Sequence, residues 1–251
     1  MKVMQINVWQ GRLIKPLLAL IRKEDPDIIM AQEIYSYPHK IAAISPWDYL
    51  STLERIAAIS YKHTYFSPCS TFEMFGKSLG YGNAIISKYP LANTSTHYTG
   101  GPGPIHYDEP SAFGGNDSRN FQHATVTTNT GELHLVNHHA HWADQPLGDE
   151  TSTKRLGRVA SFVSSLKGPI VTAGDFNVSP TSPAMTAFIA ATGLSDITAT
   201  TGATSTLSSA HYASNVMCDY LLASPDITIK KIQIFGELVS DHLAIFAEID
   251  R

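Results

Sequence analysis

The sequence predicts a mixed α/β sandwich, and three observations carry this. Early in the chain, runs with the alternating period of strands are interleaved with a stretch of helical period. Later, strand-like runs follow one another in pairs. Short polar clusters stand at the C-terminal ends of the apolar runs, where α/β proteins collect ligands and catalytic groups.

The elements follow in order. Residues 2–8 alternate as a strand. Residues 13–24 form an amphipathic helix with Leu13, Leu17, Leu20 and Ile21 on its apolar side. Asp27–Ala31 is a short apolar run suited to a buried strand, and 40–58 reads as helix. Strands are expected near 61–66, 82–87, 120–127 and 132–138. Helix 151–166 opens on Thr and Ser and stops before Gly168. Strand 169–174, helix 183–191 and strands 218–223, 228–235 and 243–249 complete the pattern. Segment 97–118 is rich in Gly and Pro. It reads as a long loop, either functional or a surface insertion.

Length and composition bound the classes open to the chain. Its 251 residues suit one large domain (1–251) better than two small ones, and 43% apolar with 16% charged residues is a globular composition. Two cysteines, Cys69 and Cys218, cannot make a disulfide framework and read as reduced thiols of a cytoplasmic protein, expected to be a monomer. No apolar run approaches the roughly 20 residues that span a bilayer. The opening MKVMQINVWQ lacks the apolar core of a signal peptide and reads as a strand. The net charge is −4, and its distribution is uneven. Between Lys88 and Lys154 the one cation is Arg119; none lies between Lys167 and Lys230, or between Lys231 and Arg251. A basic groove for nucleic acid is therefore not favoured. Positive charge for the polar motifs would have to come largely from a metal.

Those motifs are Asn7, Gln32-Glu33, Asn137-His138-His139, Gly174-Asp175-Phe176-Asn177 and Ser240-Asp241-His242, with Asp219 opening the run YLLAS. Each alone has an ordinary reading: Glu33 as a solvated strand end, Asp175 as a helix cap, His242 as a core histidine, Asn7 as a turn residue. Together they say more. Carboxylates at strand ends cost desolvation energy unless paired or bound to a cation. Several in one domain point to a shared site for a hard, oxygen-liganded ion such as Mg²⁺ or Mn²⁺.

In this order, the motifs resemble those of the endonuclease/exonuclease/phosphatase (DNase I-like) superfamily. Gly82–Pro90, GNAIISKYP, also resembles a family strand ending in Ser-basic-x-Pro, and the likeness runs from Asn7 to His242. The resemblance implies a four-layer fold, two packed sheets with helices outside, and a metal-dependent phosphoester hydrolase. It implies Glu33 as the main metal ligand with Asn7 and Asp241, and Asp175 as the group that orients or deprotonates water. Asn177 would hold phosphate or water, and His242 and His139 would contact phosphate oxygens. Asp219 would fix the His242 tautomer, and Arg119 would reach the phosphate.

Two departures bear on substrate. Many relatives have Arg where this chain has Met217, and His138 and His141 add imidazoles that read as a second metal site or as a stacked loop. Three functions compete: hydrolysis of a small or lipid-derived phosphoester, a DNA or RNA nuclease, and a non-catalytic binding module. The cation-poor motifs favour the first, and Tyr98, Tyr107, Phe113 and Trp142 are available to cover an apolar group or stack on a base.

Overall fold

The computed structural model describes residues 1–39, 47–108, 118–213 and 215–250. Among these residues thirteen strands and four α-helices follow one another: β1 (Lys2–Asn7), α1 (Ile14–Glu24), β2 (Ile28–Ser36), α2 (Thr52–Ser60), β3 (His63–Met74), β4 (Lys77–Ser87), β5 (Leu91–Gly100), β6 (Ile105–Tyr107), β7 (Arg119–Thr128), β8 (Gly131–His139), α3 (Glu150–Ser165), β9 (Ile170–Asp175), α4 (Pro183–Thr192), β10 (Ser195–Asp196), β11 (Asp219–Ala223), β12 (Thr228–Ile234) and β13 (Ile245–Asp250). They build a seven-stranded sheet, β12-β13-β1-β2-β4-β3-β6, and a six-stranded sheet, β10-β11-β9-β8-β7-β5. The sheets face each other through Val3, Ile28, Met30, Ile85, Leu135, Val171 and Leu221. On the outer face of the first sheet, Leu17, Ile21, Leu53 and Ile56 of α1 and α2 pack on Met4, Ile6 and Ile29. On the other side, Leu156, Val159, Met185 and Phe188 of α3 and α4 pack on Val136 and Tyr220. These are the four layers the resemblance implies.

Strand periodicity explains where polarity collects. On β1, Val3 points between the sheets and Met4 points outward. The inward series therefore runs Val3, Gln5, Asn7, from apolar to polar. The same gradient runs along β2 (Ile28, Met30, Gln32), β8 (Leu133, Leu135, Asn137, His139) and β9 (Val171, Ala173, Asp175). Parallel pairing of β1 with β2 and of β8 with β9 brings these polar ends to one end of the sandwich. Antiparallel β11 adds Asp219 opposite Asp175.

Several expected elements are longer or different. β2 runs on to Ser36 through a bulge between Ala31 and Ile34. β3 and β4 extend far beyond 61–66 and 82–87 as one hairpin, closed by Phe75 and Gly76 at φ 52° and 69°. A Phe at positive φ is not a turn signal that sequence reading would weigh. The helix expected over 40–58 begins at Thr52 after a 3₁₀ turn at Asp48–Ser51; residues 40–46 of it lie outside the described part. The expected loop 97–118 supplies the end of β5 and all of β6, while 109–117, with Phe113, lies outside the described residues. β5 carries no strand signal in its sequence, since LANTSTHYTG has no apolar alternation; it is an edge strand, largely exposed along its first half. No described helix is long and apolar enough to cross a membrane.

Gly174 is the tightest point of the second sheet. A Cβ there would stand 1.9 Å from the main-chain oxygen of His138, with φ at 155°. Neither group can yield, because both are main chain in paired strands. Gly174→Ala is expected to destabilise the protein by more than about 3 kcal/mol. Urea unfolding tests this; a loss under about 1 kcal/mol would show that the strands can part there.

Candidate active site

The polar end of the sandwich is built in two tiers. The lower tier is a buried amide network. Gln5 Nε2 donates to Gln32 Oε1 (3.0 Å), Gln32 Nε2 to Asn137 Oδ1 (2.7 Å), and Asn137 Nδ2 to Gln122 Oε1 (2.9 Å). Asn83 Nδ2 donates to Asn120 Oδ1 (2.8 Å), and Gln122 Nε2 to the Tyr65 oxygen (2.8 Å). A network of this kind tolerates only one arrangement of donors and acceptors, so it holds the two sheets in register below the ionisable groups.

The upper tier carries the expected site residues. Asp219, wholly buried, accepts Gln5 Nε2 (2.9 Å) on Oδ1 and His242 Nδ1 (2.8 Å) on Oδ2. His242 Nε2 is thereby turned toward Asp175 Oδ2, 3.9 Å away. Burial works against a charged His242, but the Asp219 and Asp175 carboxylates outweigh it and hold its pKa well above the usual histidine range. Asp175 accepts Asn7 Nδ2 (3.1 Å) and the Asn177 main-chain N–H (3.0 Å). Burial pushes its carboxyl upward against the pull of His242. Asn177, at φ 53°, also donates Nδ2 to the Ala140 oxygen (3.2 Å). Asn is the side chain that best accepts this left-handed backbone without being glycine.

His139 faces the same carboxylates from the other side, with Nε2 3.6 Å from Asp175 and 4.0 Å from Glu33. Arg119 Nη1 lies 3.1 Å from His139 Nδ1. A guanidinium only donates, so Nδ1 is the acceptor and the ring proton sits on Nε2, aimed into the site. Burial first, then the Arg119 charge, holds His139 neutral. The two imidazoles therefore differ: His242 is a cation and His139 a neutral donor.

Glu33 sits on the β2 bulge at φ 54°, and about a fifth of its side chain reaches solvent. The bulge re-aims it, since strict alternation after Gln32 would turn it away from the inter-sheet space. Burial pushes its pKa up, Arg119 and His242 pull it down, and the nearby Asp241 pushes it up again. Asp241 Oδ1 accepts Ser240 Oγ (3.1 Å), and Ser240 Oγ also lies 2.7 Å from the Asn7 main-chain oxygen. The structure thus brings Asn7, Glu33, His139, Asp175, Asn177, Asp219, Asp241 and His242 to one end of the sandwich, with Arg119 behind His139.

The donor set suits a hard cation. Glu33, Asp241 and the amide of Asn7 offer oxygen. Cys218 does not compete as a thiolate: burial and the neighbouring Asp219 raise its pKa, and its Sγ donates to Asp219 Oδ2 (3.4 Å).

Sequence reasoning missed three residues. Gln5, under Asp219, was legible from the alternation of β1. Arg155 gave no local signal; helix α3 lays its guanidinium over Gly100, which pairs with Arg119. Burial and then the charges of Arg119 and Arg158 lower its pKa, so cations remote in sequence converge beside the site. His211 also gave none. It groups with Asp241 and His242, their ligand atoms within 4.8 Å of one another.

His138 and His141 take other places. His141 Nε2 lies 3.2 Å from Asp149 Oδ2 at the start of α3. His138 points away from the site, edge-on to Phe176 (5.5 Å) and Phe121 (6.4 Å), and neither joins a group of metal-ligating side chains among the described residues. His138 is fully buried with no hydrogen-bond partner on either ring nitrogen among the described residues, and burial lowers its pKa to about 3. Unfolding lets it take a proton near pH 6.5. Its neutral state therefore supports the fold fully above that pH, and the support fades as pH falls toward 3. The expected slope is about 1.4 kcal/mol per pH unit between those values. His138→Phe should flatten the pH dependence of unfolding by that amount; an unchanged slope would assign acid sensitivity elsewhere.

The family model described as Endonuclease/Exonuclease/phosphatase family matches residues 4–242. No curated protein matches the sequence. Among solved structures, an endonuclease/exonuclease/phosphatase from Beutenbergia cavernae DSM 12333 superposes with a TM-score of 0.73 at 21% identity, over 99% of this chain and 71% of that one. The mannosyl-6-phosphatase of Bacteroides thetaiotaomicron VPI-5482 gives 0.71 at 15% identity over 100% of both chains. Beta toxin from Staphylococcus aureus gives 0.62 at 15% identity over 99% of both. At such identities these likenesses establish the fold.

Proposed function

Because the chain belongs to the endonuclease/exonuclease/phosphatase family, we propose that it hydrolyses a phosphate ester with the help of Mg²⁺ or Mn²⁺, acting on a small or lipid-derived substrate. The observation that supports this most is the pair of imidazoles on either side of Asp175, one charged through Asp219 and one kept neutral by burial beside Arg119.

Glu33, Asn7 and Asp241 would hold the ion, which when bound supplies charge neutralisation at a phosphate oxygen. The chain's own groups do the rest. Asp175 accepts the proton of the attacking water, a role suited to a carboxyl whose pKa burial has raised. The water oxygen forms its bond to phosphorus as the bond to the departing oxygen breaks. His242 and His139 donate to phosphate oxygens, where charge builds up. Asn177 holds Asp175 through its main-chain N–H and contacts phosphate or water with its side chain. Arg119 supports the phosphate from behind His139. The two free, buried thiols Cys69 and Cys218 fit a reducing compartment such as the cytoplasm.

The mannosyl-6-phosphatase among the structural neighbours bears the name of a small phosphoester substrate. Among the described residues, the lining of the cleft beside His242 has no Lys or Arg, which disfavours a long polyanion there. The test is a panel with Mg²⁺ or Mn²⁺: bis-p-nitrophenyl phosphate, p-nitrophenyl phosphate, inositol phosphates, sphingomyelin and plasmid DNA. Metal-dependent release from a small or lipid ester, abolished by EDTA, is expected. Turnover of DNA alone would move the protein to the nucleases, and silence on every substrate with both ions would remove the hydrolase reading.

A further inference from the structure

We propose that the cleft on the His242 side of the site receives an uncharged ring of the substrate, with Tyr212 and His211 as its contact residues. The proposal rests on the phosphoester reading and names the class of group attached to the phosphate. Three observations converge on it.

The first is continuity. Asn177 and His242 of the site, and Cys218 beside Asp219, also line this cleft. Any group projecting from a phosphate held by His242 on that side enters it.

The second is the chemistry of the walls. They are formed by Trp142, Pro146, Leu207, Val216 and the two proposed contact residues. Among the described residues that line it, the one carboxylate is Asp144, and there is no Lys or Arg. An anionic continuation of the substrate would find no Lys or Arg among these residues to neutralise it. The volume, about 140 Å³, is near that of a cavity that accommodates benzene, about 150 Å³.

The third is the ordering of the rings. Tyr212 is 81% exposed, yet it is stacked on His211 with centroids 4.4 Å apart and planes 28° apart. His211 in turn stands edge-on to His242, at 5.6 Å and 84°. The Ala213 N–H donates to His211 Nδ1 at 3.0 Å, while the Ala213 oxygen is further, at 3.3 Å. The shorter contact makes Nδ1 the acceptor and leaves Nε2–H as the donor of a neutral ring. A stacked pair beside the phosphate site offers a flat face, on which an aromatic or sugar ring gains contact without paying for ordering of the protein.

The experiment is calorimetric binding of phenylphosphonate and methylphosphonate, with Mg²⁺ and without it. Neither compound has an ester to cleave. The protein is expected to bind the phenyl compound about tenfold more tightly. Tyr212→Ala should bring the two affinities together while leaving that for methylphosphonate unchanged. Tyr212→Phe should keep the preference. With its side chain in solvent, Tyr212 can be replaced without unfolding the protein. Equal affinities in the unmodified protein, absence of binding, or a preference that survives Tyr212→Ala would overturn the proposal. If the protein cleaves no ester yet prefers the phenyl compound, the ring site stands and the hydrolase reading falls. If it cleaves esters but shows no preference, the ring site falls alone.

Discussion

Glu33→Gln is expected to remove the response to divalent ions and leave the protein folded. Glu33 reaches the site from a bulge at positive φ, and burial together with the neighbouring Asp241 makes its negative charge costly. A cation relieves that cost, so binding should stabilise the folded state. At an ion concentration about a hundredfold above Kd the gain is about 2.7 kcal/mol. For a chain of this size that corresponds to about 5–10 °C in Tm. The variant keeps the shape and loses the charge. Its Tm should not move with Mg²⁺ or Mn²⁺, and in EDTA it should be at least as stable as the parent. Turnover should fall by about a thousandfold, an effect of several kcal/mol on the barrier. Melting curves with and without the ion test the binding part independently of catalysis. An equal Mg²⁺ shift in both proteins, or full parental activity in EDTA, would remove Glu33 from the metal site.

Loss of His242 should be comparably severe. Its Nδ1 is committed to Asp219 at 2.8 Å, and its Nε2 is the nitrogen left to meet a phosphate oxygen. A charged donor at developing negative charge accounts for about 10²–10³ in turnover, and His242→Gln should lose that much. His242→Ala should lose as much activity and also some stability, because Asp219 would keep only Gln5 Nε2 and the weak Cys218 donor. Removing one partner of a buried pair costs about 3–5 kcal/mol. Asp219→Asn leaves the ring in place but removes the carboxylate that orients and charges it. A loss of about 10–100-fold in turnover is expected, smaller than for His242→Gln. Rates per folded molecule, paired with unfolding curves, separate the two effects. Should His242→Gln retain parental turnover, the imidazole is structural.

Particular residues show what was readable before folding. Gly174-Asp175-Phe176-Asn177 and Ser240-Asp241-His242 are contiguous, and each ends or precedes an apolar run, so their chemistry is visible in one dimension. The same holds for the inward series Val3, Gln5, Asn7, because strand alternation is a local property. α3, expected over 151–166 from its opening Thr and Ser, runs over 150–165; the cap that starts it is Asp149, which accepts Ser152 N–H at 2.7 Å while Ser152 Oγ accepts the Asp149 N–H. β5 is not legible in one dimension, since an edge strand of Thr, Ser and His is held by its neighbour β7 rather than by its own pattern.

By itself, then, the sequence determined the α/β layering, the family and most of the residues that gather at the polar end of the sandwich, because periodicity and short motifs are local. Only the tertiary structure decided how those residues differ from one another. The bulge that turns Glu33 inward exists in the pairing of β2 with β4. The charge on His242 and the neutrality of His139 depend on Asp219 and Arg119, each brought across the sheets. Chain segments poor in cations acquired Arg155 from a helix whose own sequence gave no hint of the site. The physical reason is that charge, burial and tautomer are set by neighbours within a few ångströms in space, and neighbours of that kind are non-local in the chain.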